Sequence, residues 1–100
     1  MIVISGTITL DPAKADAAHE AIVTLVAATR AEPGNITYEY TRDHADAGYW
    51  RVFEEWADQA AVDAHMGAPH MAEFMGAMGG FGIAGVDIST YAVDTKTKFM

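Results

Sequence analysis

The chain has no cysteine among its 100 residues. That excludes a disulfide framework, a thiolate metal centre and a cysteine nucleophile. Basic residues are scarce: six lysines and arginines stand against fourteen aspartates and glutamates, a formal net charge of −8. Nucleic-acid binding needs a basic stripe to neutralise phosphates, and an anionic membrane repels an acidic surface, so neither partner is expected. Long apolar runs are missing as well. The opening stretch, residues 1–4, is far too short to cross a bilayer, and no secretory apolar region follows it, which points to a cytoplasmic protein. The local signatures of common chemistries are also absent: no P-loop, no dinucleotide-binding glycine fingerprint, no GxSxG elbow and no HExxH helix.

What is present suits a single folded domain over residues 1–100. Half the residues (51%) are hydrophobic and 20% are charged, with no repeat or linker, so disorder is not expected. A chain of this length can bury roughly 65% of its unfolded surface.

Residues 2–10 alternate Ile2, Ile4, Ile8 and Leu10 against Ser5, Thr7 and Thr9, the pattern of a first strand. Gly6 interrupts the apolar side, either for close packing or to leave room for a ligand; packing is the simpler reading. Asp11-Pro12 is a helix start. The helix that follows should bury Ala15, Ala18, Ile22, Leu25 and Thr29, with Val26 beside them, and should end at Pro33-Gly34. His19 on this helix reads as a surface residue.

Residues 35–42 predict a second strand with Ile36, Tyr38 and Tyr40 on one side. The polar turn 43–48, which contains a solvated His44, leads into a third strand. That strand divides into Trp50, Val52, Glu54 and Trp56 against Tyr49, Arg51, Phe53 and Glu55. Neither side is cleanly polar, so both faces should be covered. A helical run over residues 58–66 breaks at Gly67-Ala68-Pro69 and resumes over 70–78 with Met71, Phe74, Met75 and Met78 in helical register. Such a methionine stripe serves as core or as the pliable wall of a pocket. Residues 85–94 supply the last strand, and Phe99 is placed to tuck onto a neighbour.

The order is βαββαβ with a broken second helix: an α+β, ferredoxin-like arrangement with a four-stranded antiparallel sheet and helices on one face. The open face, read as carrying Ile, Tyr, Phe and Thr groups, would be covered by a second copy in a homodimer.

The candidate chemistry gathers between Trp50 and His70. Glu54 shares its side of the strand with the tryptophans, so it should be buried, with a raised pKa or a partner, the most available being a histidine of the facing helix. His65 is either a core histidine bonded to a carboxylate or a general base. His70, just after Pro69, is either structural or aimed into a cavity. Two histidines five residues apart lack the spacing that makes zinc motifs diagnostic, so no metal site is assigned, although Asp58, Asp63 and Glu54 stand nearby in sequence.

The runs EPGNITYEYTRD (32–43) and RVFEEWADQAAVDAHMGAPHMAEFM (51–75), with the E-W-x-D-x-x-A-x-x-x-H segment from Glu54 to His65, resemble the antibiotic biosynthesis monooxygenase family, quinol-monooxygenase-like members above all. The resemblance covers nearly the whole chain. It implies a dimeric α/β barrel and oxygenation of an aromatic quinol or polyphenol by O2 without flavin, haem or metal. It implies an apolar cavity with His65 or Glu54 as base, and Asn35, Tyr38, Trp56 and His70 as orienting or donating groups. Met71, Phe74 and Met75 would contact substrate. Haem-degrading relatives carry an asparagine on the first strand, and a tryptophan and a haem-ligating histidine in the second helical region. This chain aligns Gly6, His65 and Met75 there, which counts against haem degradation. A non-oxidative isomerase or a small-molecule binding module on the same fold is the alternative.

Overall fold

In the computed structural model, which describes all 100 residues, the alternating runs form four strands: β1 (Ile2–Thr9), β2 (Asn35–Arg42), β3 (Tyr49–Trp56) and β4 (Gly85–Ala92). Asp11 accepts a hydrogen bond from the Ala13 amide and caps a short 3₁₀ turn, Pro12–Lys14. This turn feeds α1 (Ala15–Arg30), which buries Ala15, Ala18, Ile22, Leu25 and Thr29 as its spacing predicts. Gly34, at φ 85°, supplies the left-handed turn that sends the chain from the end of α1 into β2.

Asp58 caps α2 (Gln59–Met66) through the Ala61 amide. The break after Met66 is short, because Pro69 opens α3 (Pro69–Met78) at the position where its missing N–H costs nothing. No helix is long and apolar enough to cross a membrane.

The sheet is antiparallel in the order β2-β3-β1-β4. The chain thus has the ferredoxin-like α+β fold. Register sets the two faces. Ile4 lies opposite Glu54 and Thr90, and Ile8 opposite Trp50 and Val86, so these side chains share the helix-facing side. There the core joins Ile4, Trp50, Trp56 and Tyr38 to Ala18, Ile22 and Leu25 of α1, Val62 of α2 and Phe74 of α3.

Three expectations need correction. A bulge between Asn35 and Thr37 gives β2 an extra residue, so Ile36 leaves the side of Tyr38 and is exposed. The open face carries Val3, Ser5 and Thr7 opposite Glu55, Phe53 and Arg51, with Tyr91, Ser89 and Asp87 on β4. Phe99 is not tucked in; it is among the most exposed residues of the chain. The last strand ends at Ala92, two residues early, with the Val93 amide donating to the Met1 carbonyl. Gly6 has the packing role. A Cβ there would strike the Asp87 carbonyl and come within 2.5 Å of Ile88 Cα, which leaves no space for a ligand.

Candidate functional site

Alternation along β3 turns Glu54 inward with Trp50, Val52 and Trp56, and it is only 6% exposed. Burial pushes its carboxyl up to about 7. The Trp56 indole N–H, which donates to Glu54 Oε1 at 2.9 Å, partly opposes this, and the negative field of Glu32 adds to it. The expected histidine partner is therefore replaced. Residues two apart on a strand share a face, and Trp56 reaches the carboxylate first.

His65, in the last turn of α2, is 1% exposed. Its ring lies 4.8 Å from the Trp56 ring and meets the Tyr38 ring edge-on at 5.3 Å. Its Nδ1 stands 2.7 Å from Glu32 Oε2, on the turn between α1 and β2. Nδ1 is thus committed to Glu32, and Nε2 is the nitrogen left for the cavity that His65 helps to line.

Tyr38 pairs with Glu54 across β2 and β3. Its hydroxyl is buried beside the Thr29 and Tyr40 hydroxyls but is not aligned for a full hydrogen bond with either. Burial pushes Tyr38 above the ordinary tyrosine range and Tyr40 up to about 12, so both are neutral hydroxyl donors at neutral pH. An unpaired buried hydroxyl costs free energy unless a ligand or water satisfies it.

These groups border a cavity of about 260 Å³ between the sheet and α3. Of the residues named from sequence, Tyr38, Glu54, His65, Met71, Phe74 and Met75 line it, together with Met78 of the same methionine stripe. Three others do not. Trp56 lies behind Glu54 as its hydrogen-bond donor. Asn35 donates to the Thr37 carbonyl beside an open hollow at Arg30 and Glu39. His70 borders a separate hollow between α1 and α3. Asn35 stands at the start of β2 opposite Trp56, past the end of the cavity, and the start of α3 turns His70 away.

Sequence reasoning missed Glu32, Tyr40, Met66, Ile4, Ile8, Val86 and Ile88. Tyr40 shared the parity of Tyr38 and was recoverable from that. Glu32 opens the run EPGNITYEYTRD, but its nearness to α2 depends on the strand order. A larger hollow of about 500 Å³ runs along α1 and β2 beside His19, Arg30 and Glu39, but it is a surface groove away from Glu54 and His65.

The model of the family described as "Antibiotic biosynthesis monooxygenase" matches residues 1–77. The chain belongs to the antibiotic biosynthesis monooxygenase family. The family match contains Glu32, Tyr38, Glu54 and His65, while Val86 and Ile88 at the cavity mouth lie beyond it. An uncharacterized protein of Synechocystis sp. is 32% identical over 74 residues, covering 74% of this chain and 50% of that relative, so the chain spans about half the relative's length.

Among solved structures, one from Caulobacter crescentus whose name places it in this family is 28% identical. It has a TM-score of 0.85 and covers 93% of this chain and 90% of its own. Another from Deinococcus radiodurans reaches a TM-score of 0.90 over 100% of this chain and 99% of its own; at 22% identity it speaks for the fold alone.

Proposed function

We propose that this member of the family is a cofactor-independent monooxygenase that oxidises a small aromatic quinol or polyphenol with O2, working as a homodimer. The observation that carries the reading is the apolar cavity with Glu54 in its wall, a carboxylate poised near neutrality and fixed by one indole hydrogen bond. At about 260 Å³ the cavity is small for a ligand site and suits one or two fused rings.

Glu54 takes the proton of a substrate hydroxyl, a role for which a pKa near the working pH is best. The resulting anion carries electron density onto the ring carbons and is itself the reductant for O2, so no resident redox group is needed. One oxygen atom enters the ring and the other leaves as water: a quinol plus O2 gives a hydroxyquinone plus water. The Tyr38 hydroxyl, neutral and in the cavity wall, donates to the developing oxyanion, and His65 offers its second ring nitrogen to the other substrate oxygen. Met71, Phe74 and Met75 hold the ring and exclude water.

The homodimer reading rests on the open sheet face, where Phe53 is 40% and Tyr91 is 55% exposed beside Val3. A second copy would bury these rings.

Oxygen uptake with a panel of one- and two-ring hydroquinones, run beside sedimentation of the free protein, tests the reading. Uptake above spontaneous autoxidation is expected, with hydroxyquinone as product, and Glu54→Gln should lower it roughly 10²- to 10⁴-fold. No uptake by the wild type, or equal uptake by the Gln variant, would overturn Glu54 as the base of an oxygenase. Sedimentation at the 10.7 kDa of one chain would overturn the dimer.

A further inference from the structure

Behind the cavity, on the other side of the His65 ring, three chain segments bring three donor atoms together. Glu32 comes from the turn after α1, His65 from the last turn of α2 and His70 from the first turn of α3. Their donor atoms all lie within 4.8 Å of one another. Glu32 Oε2 is 2.7 Å from His65 Nδ1 and 3.4 Å from His70 Nε2. The second contact has an ion-pair distance without hydrogen-bond alignment, and His70 Nε2 is a buried nitrogen with no hydrogen-bond partner.

From this geometry we propose that Glu32, His65 and His70 form a binding site for a divalent transition metal of the zinc type. Ligands about 2.0–2.1 Å from a tetrahedral ion stand roughly 3.3 Å apart, so the 3.4 Å edge already has that length, while the 2.7 Å edge, now a hydrogen bond, opens by a fraction of an ångström as the ion displaces the shared proton. A small turn of the imidazoles closes the third. Two imidazoles and a carboxylate suit Zn(II), Co(II) or Ni(II), whereas Mg(II) and Ca(II) prefer oxygen donors throughout. Three protein ligands leave a position open to water. An ion can enter, since the side chains of Glu32 and His70 are 14% and 21% exposed while His65 is closed off at 2%.

The broken helix explains why the five-residue spacing conceals the site. The break at Gly67-Ala68 turns α3 so that His65 and His70 rings face across 6.0 Å, and Glu32 completes the set from 33 residues upstream of His65. A metal on Nδ1 replaces the proton that this nitrogen shares with Glu32, which makes Nε2 an N–H donor toward the cavity. Metal loading would thereby fix the role of His65 in the cavity. The site itself does not rest on the oxygenase reading.

The test uses the full chain, free of any affinity tag and stripped with a chelator. Equilibrium dialysis against Zn(II) should find one ion per chain, and Co(II) should develop visible d–d bands. Glu32→Gln and His70→Ala should each weaken binding at least about tenfold, while His44→Ala, altered in an exposed turn, should not. On the wild type alone, Zn(II) should shift the imidazole NMR signals of His65 and His70 and leave those of His19 and His44 in place, a readout independent of how the variants fold. Wild-type binding no tighter than that of His70→Ala, or equal perturbation of all four histidines, would overturn the site.

Discussion

β3 and β4 are both eight residues long, both alternate in side-chain character, and both run antiparallel to β1. In β3 the inward residues Trp50, Val52, Glu54 and Trp56 are all buried, whereas no residue of β4 is. Val86 and Ile88 point to the same side of the sheet as Ile8 and Gly6, yet they remain 57% and 37% exposed. Alternation therefore fixes which way a side chain points. Burial depends on what lies above it, and the helices cover the β3 region while β4, at the sheet edge, borders the open mouth of the cavity. One strand is core with a reactive group held in it; the other is a wall that waits for a ligand.

The largest expected effect breaks the β3 side of this contrast. Trp56 is fully buried, packs against Tyr38 and His65, and holds Glu54 through its indole N–H. Trp56→Ala removes that packing and leaves a buried carboxyl without its donor, which should cost about 3–5 kcal/mol. Trp56→Phe should keep most of the packing and lose chiefly the hydrogen bond, about 1–3 kcal/mol. Urea unfolding of the pair checks both. A loss under 1 kcal/mol in Trp56→Ala would show that the β3 face is not the core it resembles.

The next effect is read from pH. Glu54 has a folded pKa of about 7 against an ordinary value of 4.5. Between these values the folded state holds a proton that the unfolded chain releases, so stability falls as pH rises from 4.5 to about 7 and levels off above. The full drop is about 3 kcal/mol, from roughly 1.4 kcal/mol per unit. Glu54→Gln should abolish this part of the slope. Unfolding free energies of wild type and Gln variant that stay parallel across that range would contradict a buried, proton-holding Glu54. The proposed base role runs the other way: the carboxylate must be ionised, so turnover should fall as pH drops below about 7.

Much of the frame could be read from the residues because it depends on local periodicity. The five buried positions of α1, the parity of β3 and the break before Pro69 each follow from spacing within one element. Ile36 failed for the same reason. Period-two counting carries a strand past a bulge that only the partner register reveals. The burial of Glu54 follows from its parity, but its partner does not, because choosing between Trp56 and a histidine requires knowing how far α2 stands from β3. Glu32 shows the limit best. It is a carboxylate at a helix exit, unremarkable in sequence, and it meets His65 only because β2 lies next to β3 and carries the α1 exit toward the end of α2.

The smallest expected effect lies on β4 and separates a wall from a core. Ile88→Ala removes a side chain that is already 37% exposed, so the transfer loss is partial and little cavity is left behind. It should cost under about 1 kcal/mol, several-fold less than Trp56→Ala. Yet Ile88 lines the same cavity as Glu54 and His65, and its apolar contact with a bound ring would be lost. Under the oxygenase reading, removing a uniform binding contact raises KM while leaving kcat unchanged. A large loss of stability with no change in KM would make β4 a structural strand like β3, and the contrast between the two would collapse.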